Sequence, residues 1–266
     1  MIDVLEAASP KTRTAPQPDT ALREALFEHF LHVKTSTQLS KWLKDLNQDQ
    51  SGTLEQKRSR LHATSKYPCT PAGEFPDRTR AQLDDMQSEQ LADVCSVLGL
   101  DTIGTKTARY LRILREVGYR EGWLTKPPTQ IGPDFFTMDN VLPFVRWHQV
   151  VKTEKTEDAY YRPFYEDMAD AFGEEWVHEQ FPMGQGVGRK IDFHLGHLQR
   201  GGIGIEFKMP RSSTDIDRAL GQIDSYRTIY EERLLVVLLP DHLDAAKQGH
   251  FIAQLEAKRI RVMVKW

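Results

Sequence analysis

Two short apolar runs, Ile191-Asp192-Phe193-His194-Leu195 and Ile203-Gly204-Ile205-Glu206-Phe207-Lys208-Met209, constrain this chain more than any other feature. In both, apolar and other residues alternate with period two. The alternation predicts strands with Ile191, Phe193, Leu195, Ile203, Ile205, Phe207 and Met209 on one face and Asp192, His194, Glu206 and Lys208 on the other. The intervening Gln199-Arg200-Gly201-Gly202 is turn chemistry, so the strands are expected to pair and bring Asp192 close to Glu206. Two carboxylates and an ammonium then converge. Hard oxygen donors suit Mg²⁺, which also coordinates phosphate oxygens, and Mn²⁺ is expected to substitute. An ammonium beside them can offset charge developing on a phosphate. A lone E-x-K is more often a solvated strand face, so the surroundings decide the reading.

Those surroundings have a definite order. Ser212-Ser213-Thr214-Asp215 is N-cap material, and Ile216, Leu220, Ile223 and Tyr230 then recur at helical spacing, predicting a helix to about Glu232. Arg233 to Pro240 reads as a buried strand. Upstream, Glu157 to Phe172 reads as a helix and Glu175 to Phe181 as a strand entering a Gly184-to-Gly188 turn. The predicted order is α-β-β-β-α-β.

Asp192, Glu206-x-Lys208 and Gln222-x-x-x-Tyr226 together resemble the PD-(D/E)XK nuclease superfamily, in the branch with a Q-x-x-x-Y motif, over roughly residues 151–266. The resemblance implies an α/β restriction-endonuclease-like core with a mixed sheet, preceded by a mostly helical region. It also implies metal-dependent cleavage of nucleic acid that leaves a 5′ phosphate. It assigns Asp192 and Glu206 as metal ligands, Lys208 as the catalytic lysine, and Gln222 and Tyr226 to the lining of the site. Ile191 stands where the superfamily name has proline. The resemblance further implies a glutamate on the preceding helix. Of Glu157 and Glu166, the helical count places Glu157 at the head of the apolar stripe with Tyr161, Phe164, Met168 and Phe172, so Glu157 is the expected third acid.

A net charge of −3 does not describe a nucleic-acid binder, but the average conceals two basic segments free of acidic residues, around Lys57, Arg58 and Arg60 and around Lys106, Arg109 and Arg112. They occupy matching places in an internal repeat with an offset of 52 residues, which superposes Leu39 on Leu91, Leu46 on Leu98, Gly52-Thr53 on Gly104-Thr105 and Arg60 on Arg112. The second copy resembles the SAP domain, a small helical DNA-binding module; the first matches less well. A helix start after Gly-Thr with flanking cations would make a phosphate site that positions without reading sequence. The bland alternative is a pair of helical hairpins with solvated or salt-bridged cations. Arg189 and Lys190 beside the Gly184–Gly188 turn are further candidate DNA contacts.

The expected divisions are a loose leader and first repeat over 1–66, a second repeat over 81–120, a linking and docking segment over 121–150 rich in Phe and Trp, and the nuclease domain over 151–266. A hydrophobic content of 39% suffices for ordinary cores, and a mean hydropathy of −0.52 with no apolar run of membrane length predicts a cytoplasmic protein. Cys69 and Cys95 are expected to be reduced and structural. The glycine-rich turn lacks the Ser or Thr of a phosphate-binding loop. His194 and His197 fall on opposite strand faces, leaving His194 alone beside the site. The expected function is therefore a Mg²⁺-dependent DNA endonuclease serving defence, restriction or repair. A homodimer would let two sites cut two strands, and a partner ATPase or defence-system subunit is an expected companion. The alternatives are a DNA-binding subunit whose nuclease fold is a silent docking platform, and cleavage of RNA.

Overall fold

The protein is seen in a computed structural model that describes residues 18–71, 74–148, 156–183, 189–199, 201–239 and 245–265. The expected leader and the Gly184–Gly188 turn lie almost wholly outside these residues. The chain forms two compact units, Met1–Thr102 with Ile113–Thr125, and Ile103–Arg112 with Lys126–Trp266. The fold is mixed α/β, and no helix among the described residues is long and apolar enough to cross a membrane.

The first unit contains helices α1 (Thr20–Val33), α2 (Ser36–Asp45), α3 (Leu54–Thr64), α4 (Phe75–Leu83) and α5 (Ser88–Val97), and the C-terminal part of α6 (Lys106–Arg120). Phe27, Phe30, Trp42 and Phe75 surround the buried ring of Tyr67 at centroid distances of 5.2–6.2 Å. Such offset and edge-on contacts are the favoured aromatic geometries. Beside this cluster Arg23 and Glu121 form an ion pair at 2.5 Å with side chains 2% and 1% exposed. A pair so buried fixes geometry more than it adds stability.

The 52-residue repeat is visible in atomic detail. Gln38 and Gln90 exchange amide hydrogen bonds at 3.1 and 2.9 Å, so the two copies meet through equivalent residues about a local two-fold relation. Each glutamine also closes its own helix start, accepting from Thr35 N–H and Gln87 N–H at 2.8 Å. Each reaches across to the other copy's preceding turn, Gln38 to the Asp85 carbonyl and Gln90 to the Val33 carbonyl. The helix ends match as well: Asn47 and Gly99 both have positive φ, 55° and 71°. The copies meet through these reciprocal contacts within the first unit, to which the second copy contributes all but Ile103–Arg112.

The second unit adds α7 (Met138–Trp147), α8 (Tyr161–Phe172), β1 (Val177–Pro182), β2 (Lys190–Leu195), β3 (Ile203–Lys208), α9 (Ser213–Tyr230), β4 (Leu234–Leu238), α10 (Ala245–Ala257) and β5 (Arg261–Val264). The strands lie in the order β1-β2-β3-β4-β5, antiparallel through β3 and parallel from β3 to β5. The predicted α-β-β-β-α-β order is present and continues with α10 and β5, which the reading of the sequence did not include. Glu157–Tyr160 is a 3-10 turn leading into α8 rather than its first α-helical turn. Phe164 of α8 packs on Phe193 and Phe207 at 4.7 and 5.0 Å. Ile216, Ile223 and Tyr230 of α9 and Phe251 and Leu255 of α10 pack with Leu234, Val236 and Leu238 of β4. A Cβ on Gly204 would come within 2.7 Å of both Ile191 and Tyr230, so only glycine lets α9 lie this close. Phe135, Phe136 and Phe144, from the expected docking segment, pack their rings against Phe172 within the second unit.

Candidate active site

The β2–β3 ladder pairs Leu195 with Ile203 and Phe193 with Ile205, and there its register ends. One residue further, side chains take over the bridging. Asp192 Oδ2 accepts the Phe207 N–H at 2.8 Å, and the Asp192 N–H donates to Glu206 Oε2 at 3.2 Å. Beyond them the Met209 N–H donates to Glu157 Oε1 at 2.6 Å. Where the strands part, carboxylates occupy the places of backbone carbonyls. The break also turns Ile191, expected beside Phe193, into the cluster under α9. A uniform period-two pattern cannot show such a break.

Lys208 Nζ contacts Glu206 Oε1 at 2.6 Å, completing the convergence expected from the two strands. Asp192, Glu206 and Lys208 are 5%, 0% and 7% exposed, yet all three, with Glu157, line an open cleft of about 830 Å³. Burial raises the carboxyls of Glu157, Asp192 and Glu206 above their ordinary values, with Lys208 opposing the shift in each case. Desolvation alone would lower Lys208. The three carboxylates, Glu206 first, outweigh it and hold the ammonium above its ordinary value.

Gln222 lines the same cleft, whereas Tyr226 lies behind it, 1% exposed. Gln222 Nε2 donates to the Tyr226 hydroxyl at 2.5 Å, which donates to the Lys190 carbonyl at 2.7 Å. The pair therefore ties α9 to the start of β2, whose Lys190 side chain also lines the cleft. Glu166 is absent from that lining; it pairs with Arg162 at 2.7 Å and accepts from Thr105 at 3.3 Å.

His194, a sequence candidate for a site neighbour, has a different place. Its Nδ1 lies 2.8 Å from the Tyr230 hydroxyl, and its ring stacks on Phe181 at 4.6 Å. Burial pulls its pKa down to about 4, so it is a neutral packing residue at neutral pH. The strand pattern passed over two groups that touch the site. Tyr161 donates to Asp192 Oδ1 at 2.6 Å, and Gln180 donates to the same oxygen at 3.2 Å. Gln180 was recoverable once β1 is registered against β2, since His178 pairs with His194 and Glu179 with Phe193. Arg211 and Arg218 also line the cleft and were not singled out in the sequence.

The other candidate DNA contacts are dispersed. Lys57 is 8% exposed, with its ammonium on Ser36 Oγ at 2.7 Å. Arg58 closes the end of α1 through the carbonyls of Leu31 and His32, both at 2.8 Å. Arg60 and Arg112 do the same job in each copy, holding the loop carbonyls of Ser51 at 3.1 Å and Ile103 at 3.0 Å. Arg60 also pairs with Asp49 at 3.3 Å and Arg112 with Asp170 at 3.2 Å. Arg109 is half-buried, while Lys106, Arg189 and Lys190 are exposed.

Asp192 and Glu206 present the hard oxygen donors that a divalent cation such as Mg²⁺ takes. Three desolvated carboxyls gather about one ammonium, and a cation beside them would offset the cost of ionising them. Among the described residues no three His, Cys, Asp or Glu side chains form a group that could hold a metal ion. The adjacent pair Asp192 and Glu206 would therefore supply the protein ligands, with water and phosphate oxygens completing the shell, as is usual for Mg²⁺. Glu157, expected as a ligand, is near the pair without completing such a group. Comparison with protein-family models, with curated proteins and with solved structures finds no match to this chain.

Proposed function

We propose that the second unit is a metal-dependent nuclease that hydrolyses phosphodiester bonds in DNA, built like the PD-(D/E)XK superfamily its motifs resemble. The observation that carries this reading is the meeting of Asp192, Glu206 and Lys208 at one cleft where the β2–β3 ladder gives way. Asp192 and Glu206 would hold Mg²⁺ or Mn²⁺, which would supply Lewis acidity and neutralise charge on the phosphate. Lys208 is held by Glu206 with its ammonium in the cleft, where it offsets the charge that grows on the non-bridging oxygens. Gln222, braced by Tyr226, offers an amide to the substrate backbone. Lys190, Arg211 and Arg218 supply cations for the flanking phosphates.

The test is to incubate the purified protein with supercoiled, linear and single-stranded DNA and with RNA, in Mg²⁺, Mn²⁺ or EDTA. Cleavage of DNA with either metal and none in EDTA is expected. Asp192→Asn, Glu206→Gln and Lys208→Ala should each lower the rate by at least ~10²-fold, the usual cost of losing one preorganised electrostatic group. Near wild-type cleavage by the two carboxylate variants rules the proposal out, and preferential cleavage of RNA reassigns the substrate.

A further inference from the structure

Both oxygens of Asp192 are already spoken for on the protein side. Oδ2 is fixed by the Phe207 N–H at 2.8 Å, while Oδ1 accepts from Tyr161 at 2.6 Å and Gln180 at 3.2 Å. Tyr161 is itself held rigidly, since its ring packs edge-on to Phe193 at 5.6 Å and against Phe207 at 6.0 Å. These rings sit on β2 and β3, one residue after Asp192 and one after Glu206. The phenol is thus keyed to the same two strands that carry the carboxylates, and it enters the cleft from α8. A carboxylate oxygen has lone pairs for more than one partner, so the bond from Tyr161 orients Oδ1 and leaves it able to serve a cation.

We propose that Tyr161 is a positioning residue that presets Asp192 for a divalent cation, with Gln180 as the weaker second support. The inference rests on the reading of Asp192 as a metal ligand. Outer groups that orient a ligating carboxylate typically change metal affinity by ~10–100-fold when removed. Tyr161→Phe keeps the ring and its packing and deletes only the donor. Gln180→Leu deletes the other donor and is expected to have a smaller effect.

The experiment titrates Mn²⁺ into the full chain by calorimetry, comparing wild type, Asp192→Asn, Tyr161→Phe and Gln180→Leu, each first checked for cooperative thermal unfolding. The expected result is no measurable binding to Asp192→Asn and a Kd raised ~10-fold or more in Tyr161→Phe. Cleavage of supercoiled DNA by Tyr161→Phe should then recover the wild-type maximal rate at high Mg²⁺, a rescue that a merely structural role would not permit. Wild-type affinity in Tyr161→Phe while Asp192→Asn loses the metal overturns the role of Tyr161 and leaves the ligand assignment intact. A maximal rate that stays low at saturating Mg²⁺ also overturns it. Equal Mn²⁺ binding by wild type and Asp192→Asn overturns the ligand assignment, and the role of Tyr161 falls with it.

Discussion

Asp192 shows how a single residue can serve a site at the expense of its fold. Burial holds its carboxyl above the ordinary value, so ionising it costs the folded chain more than the unfolded one. That cost sets in as pH rises past the unfolded value of about 4 and is complete above the folded value. Asp192→Asn removes it; the amide oxygen still accepts from the Phe207 N–H, but its NH₂ stands where Oδ1 accepted from Tyr161 and Gln180, which adds a pH-independent cost. In EDTA the stability of wild type relative to the variant should fall as the pH rises from about 4 to 8, because only the wild type ionises at this position. Thermal unfolding of the two proteins across that pH range follows the change. A relative stability that stays constant between about pH 4 and pH 8 would mean the carboxylate is not held at a cost. The convergence of Asp192, Glu206 and Lys208 was legible because the period-two pattern and the Gln199–Gly202 turn dictate strand pairing. The turn of Ile191 into the cluster under α9 and the packing role of His194 were not. Both depend on where a ladder stops and which helix covers it, facts that no local spacing encodes.

Among the elements, the 52-residue repeat was legible because offsets survive folding unchanged: Gln38 meets Gln90, and Arg60 and Arg112 repeat the same bond to their own loops. What its basic residues do was less so. A lysine in a sequence reads as charge, but Lys57 lays its stem in the core and ends on a hydroxyl 21 positions away. The α10–β5 pair carries little signal in the sequence, because four residues of β5 are too few to show a period. The repeat also predicts an asymmetry. Gly99 ends α5 with φ 71°, and a Cβ there would meet nothing within 4 Å, so Gly99→Ala tests backbone strain alone. It should cost about 1–2 kcal/mol, the penalty for an ordinary side chain in this conformation. Asn47, at φ 55° in the other copy, already pays part of that penalty, and Asn47→Gly should stabilise by a smaller amount. Denaturant melts of the two variants would show opposite shifts; shifts of the same sign would break the equivalence of the copies.

For the whole molecule, a net charge of −3 means that any affinity for DNA depends on where particular cations stand. Lys190 stands exposed at the cleft, whereas Lys57 is buried against Ser36. Lys190→Ala should therefore lower the log–log salt slope of duplex binding by about 0.9, one phosphate contact, and leave stability unchanged. Lys57→Ala should do the reverse, and a binding titration with a matched melt distinguishes them; an unchanged slope for Lys190→Ala would remove it from the DNA path. The parted strands at the cleft carry one more consequence. In most of the molecule an amide proton is sheltered by another backbone carbonyl, and its exchange with solvent reports the opening of helices and sheets. The amides of Asp192, Phe207 and Met209 are sheltered by carboxylates instead. Their exchange rates should respond to whatever draws charge from those three acids, so these three protons form a built-in gauge of cleft occupancy, readable without any turnover.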